Sequence, residues 1–179
     1  MGSSPHIMPG KYKQLGLINW VIARLGARRQ GVPDAHLLST LARGAGLFRG
    51  WFHLYTRLMM FGSMSSYDQE VAILRLAHLR SCAYELEHHR IIGRKAGIDD
   101  ELQARVIEGP DAAGLGARER AIITAVDAFV LNRRIDDTAW KGLAEFYSES
   151  QLLEFCLLAG FYDSLAATIE SIGIESDFN

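Results

Sequence analysis

The chain has 179 residues, of which 49% are hydrophobic and 22% charged, with a formal net charge of −2 and a pI near 6.3. That length buries one sizeable core and is short for two domains of ordinary size. The near-neutral balance, with no Lys/Arg cluster interleaved with aromatics, argues against a nucleic-acid partner. Two cysteines, Cys82 and Cys156, have neither the count nor the spacing of a secreted disulfide scaffold or a zinc site, which fits a reducing cytoplasm.

Residues 1–9 read as a disordered lead without the charged, apolar and small-residue blocks of a secretion signal. No apolar run reaches the ~18 residues needed to span a bilayer, so neither membrane insertion nor a membrane partner is expected. Residues 10–179 are read as a single helical domain. From Lys13 to Gln30, Leu17, Ile18, Val21, Ile22 and Leu25 recur at intervals of three and four, with Arg24, Arg28 and Arg29 toward the end where cations suit the helix dipole. Pro33-Asp34 opens a shorter unit through Leu41, and Gly44-Ala45-Gly46 breaks it. Leu47 to Phe61 follows as a helix crowded with Phe48, Trp51, Phe52, Tyr55, Met59 and Met60. Such residues make a core or a pocket wall, and His53 and Tyr55 are its polar tips, candidate substrate contacts.

A turn at 62–66 leads into the densest chemistry of the chain, Glu70 to Gly97. Ser65 or Ser66 caps a helix with Ile73, Leu74 and Ala77 at helical spacing. A carboxylate in its first turn complements the dipole, and composition alone reads Glu70 as an exposed charge of that kind. After a break at Arg80-Ser81, Cys82, Glu85 and His89 stand at i, i+3 and i+7, one stripe of a second helix. Leu86, Gly93 and Ala96 continue that stripe, which therefore faces inward and needs partners for its polar groups. His88 points about 100° away and is the lesser candidate. Gly97 ends the helix. Helices then follow over Glu101–Glu108, Ala117–Leu131, Ala139–Tyr147 and from about Ser150 to Ile172, the last apolar on most sides. Strand alternation and hairpin turns are missing, so the class is all-α.

Glu85 and His88 have the Glu-x-x-His spacing of di-iron bundles, but no second copy occurs, and no metal site is expected. No Gly-x-Ser-x-Gly elbow or phosphate-binding glycine loop points to a hydrolase or nucleotide enzyme. A buried His beside buried carboxylates is suited to proton transfer, with a structural hydrogen-bond network as the bland alternative. A cysteine opening a helix gains thiolate character from the dipole, whereas a nearby carboxylate opposes it.

Glu70, Cys82, Tyr84-Glu85 and His89, with Ala117-Arg118-Glu119-Arg120-Ala121, Trp140-Lys141-Gly142-Leu143 and Gln151-Leu152-Leu153-Glu154 in order behind them, resemble the carboxymuconolactone decarboxylase family, including its alkylhydroperoxidase D branch. The resemblance covers the chain from about Leu37 onward. It implies an alkylhydroperoxidase D-like helical domain that forms homotrimers or homohexamers, works without a cofactor and acts on a small molecule. In the hydroperoxidase branch a Glu, a Cys-x-x-Cys pair and a His form the relay; Glu70, Cys82 and His89 fall at matching positions, and Glu85 takes the place of the second cysteine. The local disulfide of that branch therefore cannot close here. The expected function is decarboxylation or isomerisation of a carbonyl, lactone or carboxylic acid. Glu70, Cys82, Glu85 and His89 would be the catalytic set, and Tyr84 would donate to a developing oxyanion. The alternatives are a thiol peroxidase using Cys82, alone or with Cys156, and a helical ligand-binding protein without catalysis.

Overall fold

Helix α4, Ser66–Leu79, is buried around its whole circumference from Asp68 to Ala77, and the elements that carry the candidate site are packed on it. In the computed structural model, which describes residues 4–178, nine α-helices and one short 3₁₀ turn account for the regular structure, with no strand among the described residues. Two compact units divide the chain, one from residues through Arg57 together with those from Thr168 onward, the other Leu58–Ala167. Residues 1–3 of the expected lead lie outside the described residues.

The first unit contains α1 (Tyr12–Gln30), α2 (His36–Leu41), the 3₁₀ turn Ala42–Gly44 and most of α3 (Gly46–Phe61). α1 is interrupted at Gly16, whose φ of 69° is open to glycine and strained for other residues. Leu15, Ala23 and Ala27 of α1 pack with Val32, Ala35, Leu38, Ala42 and Phe48. The chain ends are tied into this unit: His6 N donates to Ile172 O, and His36 N to the buried Asp177 carboxylate. Asp177 thereby caps α2, whose own N-cap, Ala35, has no side chain able to do so.

In the second unit α4 packs against α5 (Ala83–Lys95), α6 (Asp100–Glu108) and α7 (Ala117–Asn132), and α7 against α8 (Asp137–Ala144). Val71, Ile73, Leu74, Ile98, Ile122, Ile123, Leu143, Phe155 and Leu158 are almost wholly buried there. Because α4 has no solvent side, each of its polar residues must find a protein partner. Asp68 pairs with Arg118, Gln69 donates to Leu58 O, and Arg75 grips Asp127 through two nitrogens at 2.6 and 2.8 Å while donating to Ile107 O. Glu70 is treated the same way. It is 1% exposed and lies past the first turn, so the reading of it as a dipole-complementing surface charge is corrected; Asp68 is the acid of the first turn. Ser65 is the N-cap as expected, accepting from Asp68 N at 3.1 Å.

Helix α9, Glu149–Ile172, corrects a second expectation. By length and composition it is apolar enough to cross a bilayer, with a mean hydropathy of 1.5 over its best window, but half of that window is buried inside the protein. The core helix of a globular protein passes the same test of length and composition, so α9 does not indicate a membrane protein.

Candidate active site

The turn between α4 and α5 brings the candidate residues together. Arg80 caps α4, Ser81 takes the left-handed conformation at φ 52°, Ser81 N donates to His78 O and Cys82 N to Ala77 O. This is a Schellman closure with serine where glycine is usual. Cys82, the residue after it, is at once the N-cap of α5. The chain reverses within two residues, and a position on α4 ten before the turn meets one on α5 eight after it.

Those positions are Glu70 and His89. His89 Nδ1 lies 2.7 Å from Glu70 Oε2, and its Nε2 lies 3.2 Å from Glu85 Oε2 one helical turn back. All three groups are buried, at 1%, 3% and 5% exposure for Glu70, Glu85 and His89. A neutral imidazole donates one hydrogen bond only, so carboxylates on both ring nitrogens call for the cation, which donates two. Burial by itself pushes the His89 pKa down. The charge and hydrogen bond of Glu70, joined by those of Glu85, outweigh it and push the pKa up to about 10 from its ordinary 6.5. At neutral pH the ring is an imidazolium held between the Glu70 and Glu85 side chains.

The inward stripe read from the sequence therefore does bring Glu85 and His89 together, with Glu70 as the partner it required. Cys82 is fully buried at the head of the same stripe and is in no disulfide. Tyr84 and His88 occupy a neighbouring face of α5, both buried, their rings 4.6 Å apart. His53 and Tyr55 belong to the first unit. His53 is exposed, and the ring of Tyr55 is stacked on Trp51 at 5.8 Å and 8°.

Sequence reasoning missed Tyr162. Its ring meets the His89 imidazole edge-on, centroids 5.2 Å apart at 85°, and its hydroxyl donates to Met59 Sδ at 3.4 Å. Within α9 it is one more buried aromatic in an apolar run, and only its place opposite α5 distinguishes it. Among the described residues no group of three His, Cys, Asp or Glu side chains is arranged to hold a metal ion.

The all-helical scaffold is an alkylhydroperoxidase D-like fold, as its likeness to solved structures shows. An uncharacterized peroxidase-related protein with an AhpD core from Ralstonia eutropha JMP134 superposes with a TM-score of 0.79 at 16% identity, covering 95% of this chain and 92% of that one. A peroxidase-related protein from Silicibacter sp. TM1040 gives 0.78 at 15%, with 97% and 94% covered. The debrominase Bmp8, in complex with 2,3,4-tribromopyrrole, gives 0.77 at 16%, with 96% and 92% covered. Residues 45–128, the segment that holds Glu70, Cys82, Tyr84, Glu85 and His89, match the model of the carboxymuconolactone decarboxylase family. No curated protein matches the chain.

Proposed function

We propose that the protein is an enzyme that moves a proton, without an organic cofactor, on a small carbonyl, lactone or carboxylic-acid substrate. The observation that supports this is the buried imidazole held by a carboxylate at each nitrogen. Such a cluster has both an acid and a base in place: the imidazolium has protons to give, and the carboxylates have lone pairs to receive one. Because His89 is already protonated at neutral pH, acceptance falls on a carboxylate. Glu85, with the longer bond to the ring, is the better candidate, and Glu70 holds the imidazolium in place.

In an isomerisation, Glu85 takes the proton from the carbon beside a carbonyl, the C–H pair forms a carbon–carbon double bond as the carbonyl π pair moves onto oxygen, and the enolate so formed re-forms its carbonyl as the proton is returned at a second, conjugated carbon. In a decarboxylation the C–C bond breaks, carbon dioxide leaves, and the resulting enolate takes its proton from the cluster. The imidazolium stabilises the developing oxyanion in either case. Glu85→Gln tests this, since the amide keeps a hydrogen-bond partner for the ring but takes no proton. The expected result is a loss of roughly 10²- to 10⁴-fold in deuterium exchange from D₂O into the acidic C–H positions of a panel of keto acids and γ-lactones, in a variant that circular dichroism shows to be folded. Exchange at the wild-type rate overturns the assignment.

A second reading is thiol peroxidase chemistry at Cys82. It is favoured by the place of Cys82 at the positive end of α5, where a thiolate gains stability, and by the peroxidase-related and debrominase proteins that share the fold. Cys156 is a poor thiolate, because burial pushes its pKa up. Intact mass after sub-stoichiometric peroxide decides this reading: added oxygen or a disulfide supports it, and an unchanged mass removes it.

A further inference from the structure

The two ring nitrogens of His89 answer to Glu70 and Glu85, and both bonds hold only while the imidazole keeps one plane. The torsion that sets this plane, χ2, has broad minima in histidine, so the surroundings must choose it. Glu70 and Glu85 act at the nitrogens, along the edge of the ring. A third contact comes from α9. The ring of Tyr162 stands at 85° to the imidazole with centroids 5.2 Å apart, within the range of aromatic pairs in edge-to-face contact. Tyr162 is itself held. It is 2% exposed, its hydroxyl donates to Met59 Sδ on α3 at 3.4 Å, and its ring meets that of Phe161 at 5.5 Å and 71°.

We infer that Tyr162 is a positioning residue: its ring, braced by Met59 and Phe161, fixes the plane of His89 so that the imidazole addresses Glu70 and Glu85 together. The consequence for turnover rests on the proton transfer proposed above; the placing of the ring does not. Without the aromatic ring the imidazole gains room to turn about χ2, and water gains room beside it. Turning lengthens one or both bonds, and water screens the charges across them. Burial lowers the His89 pKa, and the bonds to Glu70 and Glu85 raise it further than burial lowers it, to about 10. A ring that is turned and wetted loses part of both effects and moves back toward its ordinary value. The titratable side chains that meet the ring come from three elements, Glu70 from α4, Glu85 from α5 and Tyr162 from α9, with Cys82 at the head of the α5 stripe. The contact is made by the ring of Tyr162, whereas its hydroxyl is engaged with Met59, so phenylalanine should hold the imidazole where leucine does not.

Nitrogen shifts of the histidine rings, followed against pH on the full chain, test this; those of His89 are identified by their absence from His89→Gln. Tyr162→Leu is expected to titrate at least about one pH unit below wild type, and Tyr162→Phe close to wild type. Deuterium exchange on the panel of keto acids and γ-lactones should fall about tenfold or more in Tyr162→Leu, because a displaced proton carrier is a slow one. Circular dichroism establishes that the variants fold. If the leucine variant does not, Tyr162→Met, whose flexible chain fills irregular space, takes its place. A tyrosine that only fills the core gives a lower melting temperature with a His89 midpoint that is unmoved or raised, and that result overturns the inference. A phenylalanine variant displaced as far as the leucine one overturns it too, since the hydroxyl would then carry the effect, and so does a folded leucine variant that exchanges at the wild-type rate. A wild type that exchanges no deuterium removes the proposed proton transfer instead, and the titration then decides the placing of His89 by itself.

Discussion

His89 Nδ1 and Glu70 Oε2 lie 2.7 Å apart although nineteen residues separate them, because the chain reverses at Ser81 between α4 and α5. The contact joins the two helices of the hairpin at the level where Glu85 approaches the other side of the ring. The cation is therefore the group that makes two buried carboxylates tolerable.

His89→Ala is accordingly expected to cost about 3–5 kcal/mol of stability, the usual range when one member of a buried ionic cluster is removed and the others stay charged. Urea unfolding measures it. Adding Glu70→Gln to that variant is expected to recover part of the loss, because one uncompensated carboxylate is gone.

The same cluster sets a pH dependence. The His89 pKa is raised from 6.5 to about 10 on folding, so between those values the folded chain binds the proton and the unfolded chain does not. Stability from this group is present in full below pH 6.5, falls as pH rises toward 10, and is gone above it. Urea midpoints across that window should decline in wild type and decline less in Glu70→Gln. Nitrogen shifts of the His89 ring should report an imidazolium at pH 8.

Arg75 ties α4 to α7 through Asp127 and reaches Ile107 O beyond the end of that pair. Its side chain is 8% exposed and that of Asp127 18%. Arg75→Met is expected to destabilise by about 3 kcal/mol, since it strands a largely buried carboxylate. The double replacement Arg75→Met with Asp127→Leu should lose less, and a double-mutant cycle in urea measures the difference.

The turn before α4 depends on Glu154 of α9, whose carboxylate accepts from Ser63 N at 2.6 Å, Ser63 Oγ at 2.8 Å and Met64 N at 3.2 Å. A Cβ on Gly62 would overlap that carboxylate and approach Leu58 O to 2.8 Å. Glu154→Ala is expected to cost about 1–3 kcal/mol through the stranded turn donors, and Gly62→Ala a similar amount through overlap. Melting temperatures of both variants check this.

Local pattern by itself determined the helical class, an N-cap at Ser65 or Ser66, the break at Arg80-Ser81 and the common face of Cys82, Glu85 and His89. These depend on spacing along a few turns, and apolar periodicity and capping chemistry act over that range. The resemblance added Glu70 to the set, whereas composition alone assigned it to the surface. Only the tertiary structure decided that Glu70 is buried, because that depends on α5, α6 and α7 closing around α4. It also decided that Tyr162, far along the chain in a uniformly apolar helix, faces His89, and that the boundary between the compact units falls inside α3, where no glycine or proline marks it. A side chain's charge state follows the same rule: the residues of α5 supply the imidazole, but packing against a second helix supplies the carboxylate that keeps it protonated.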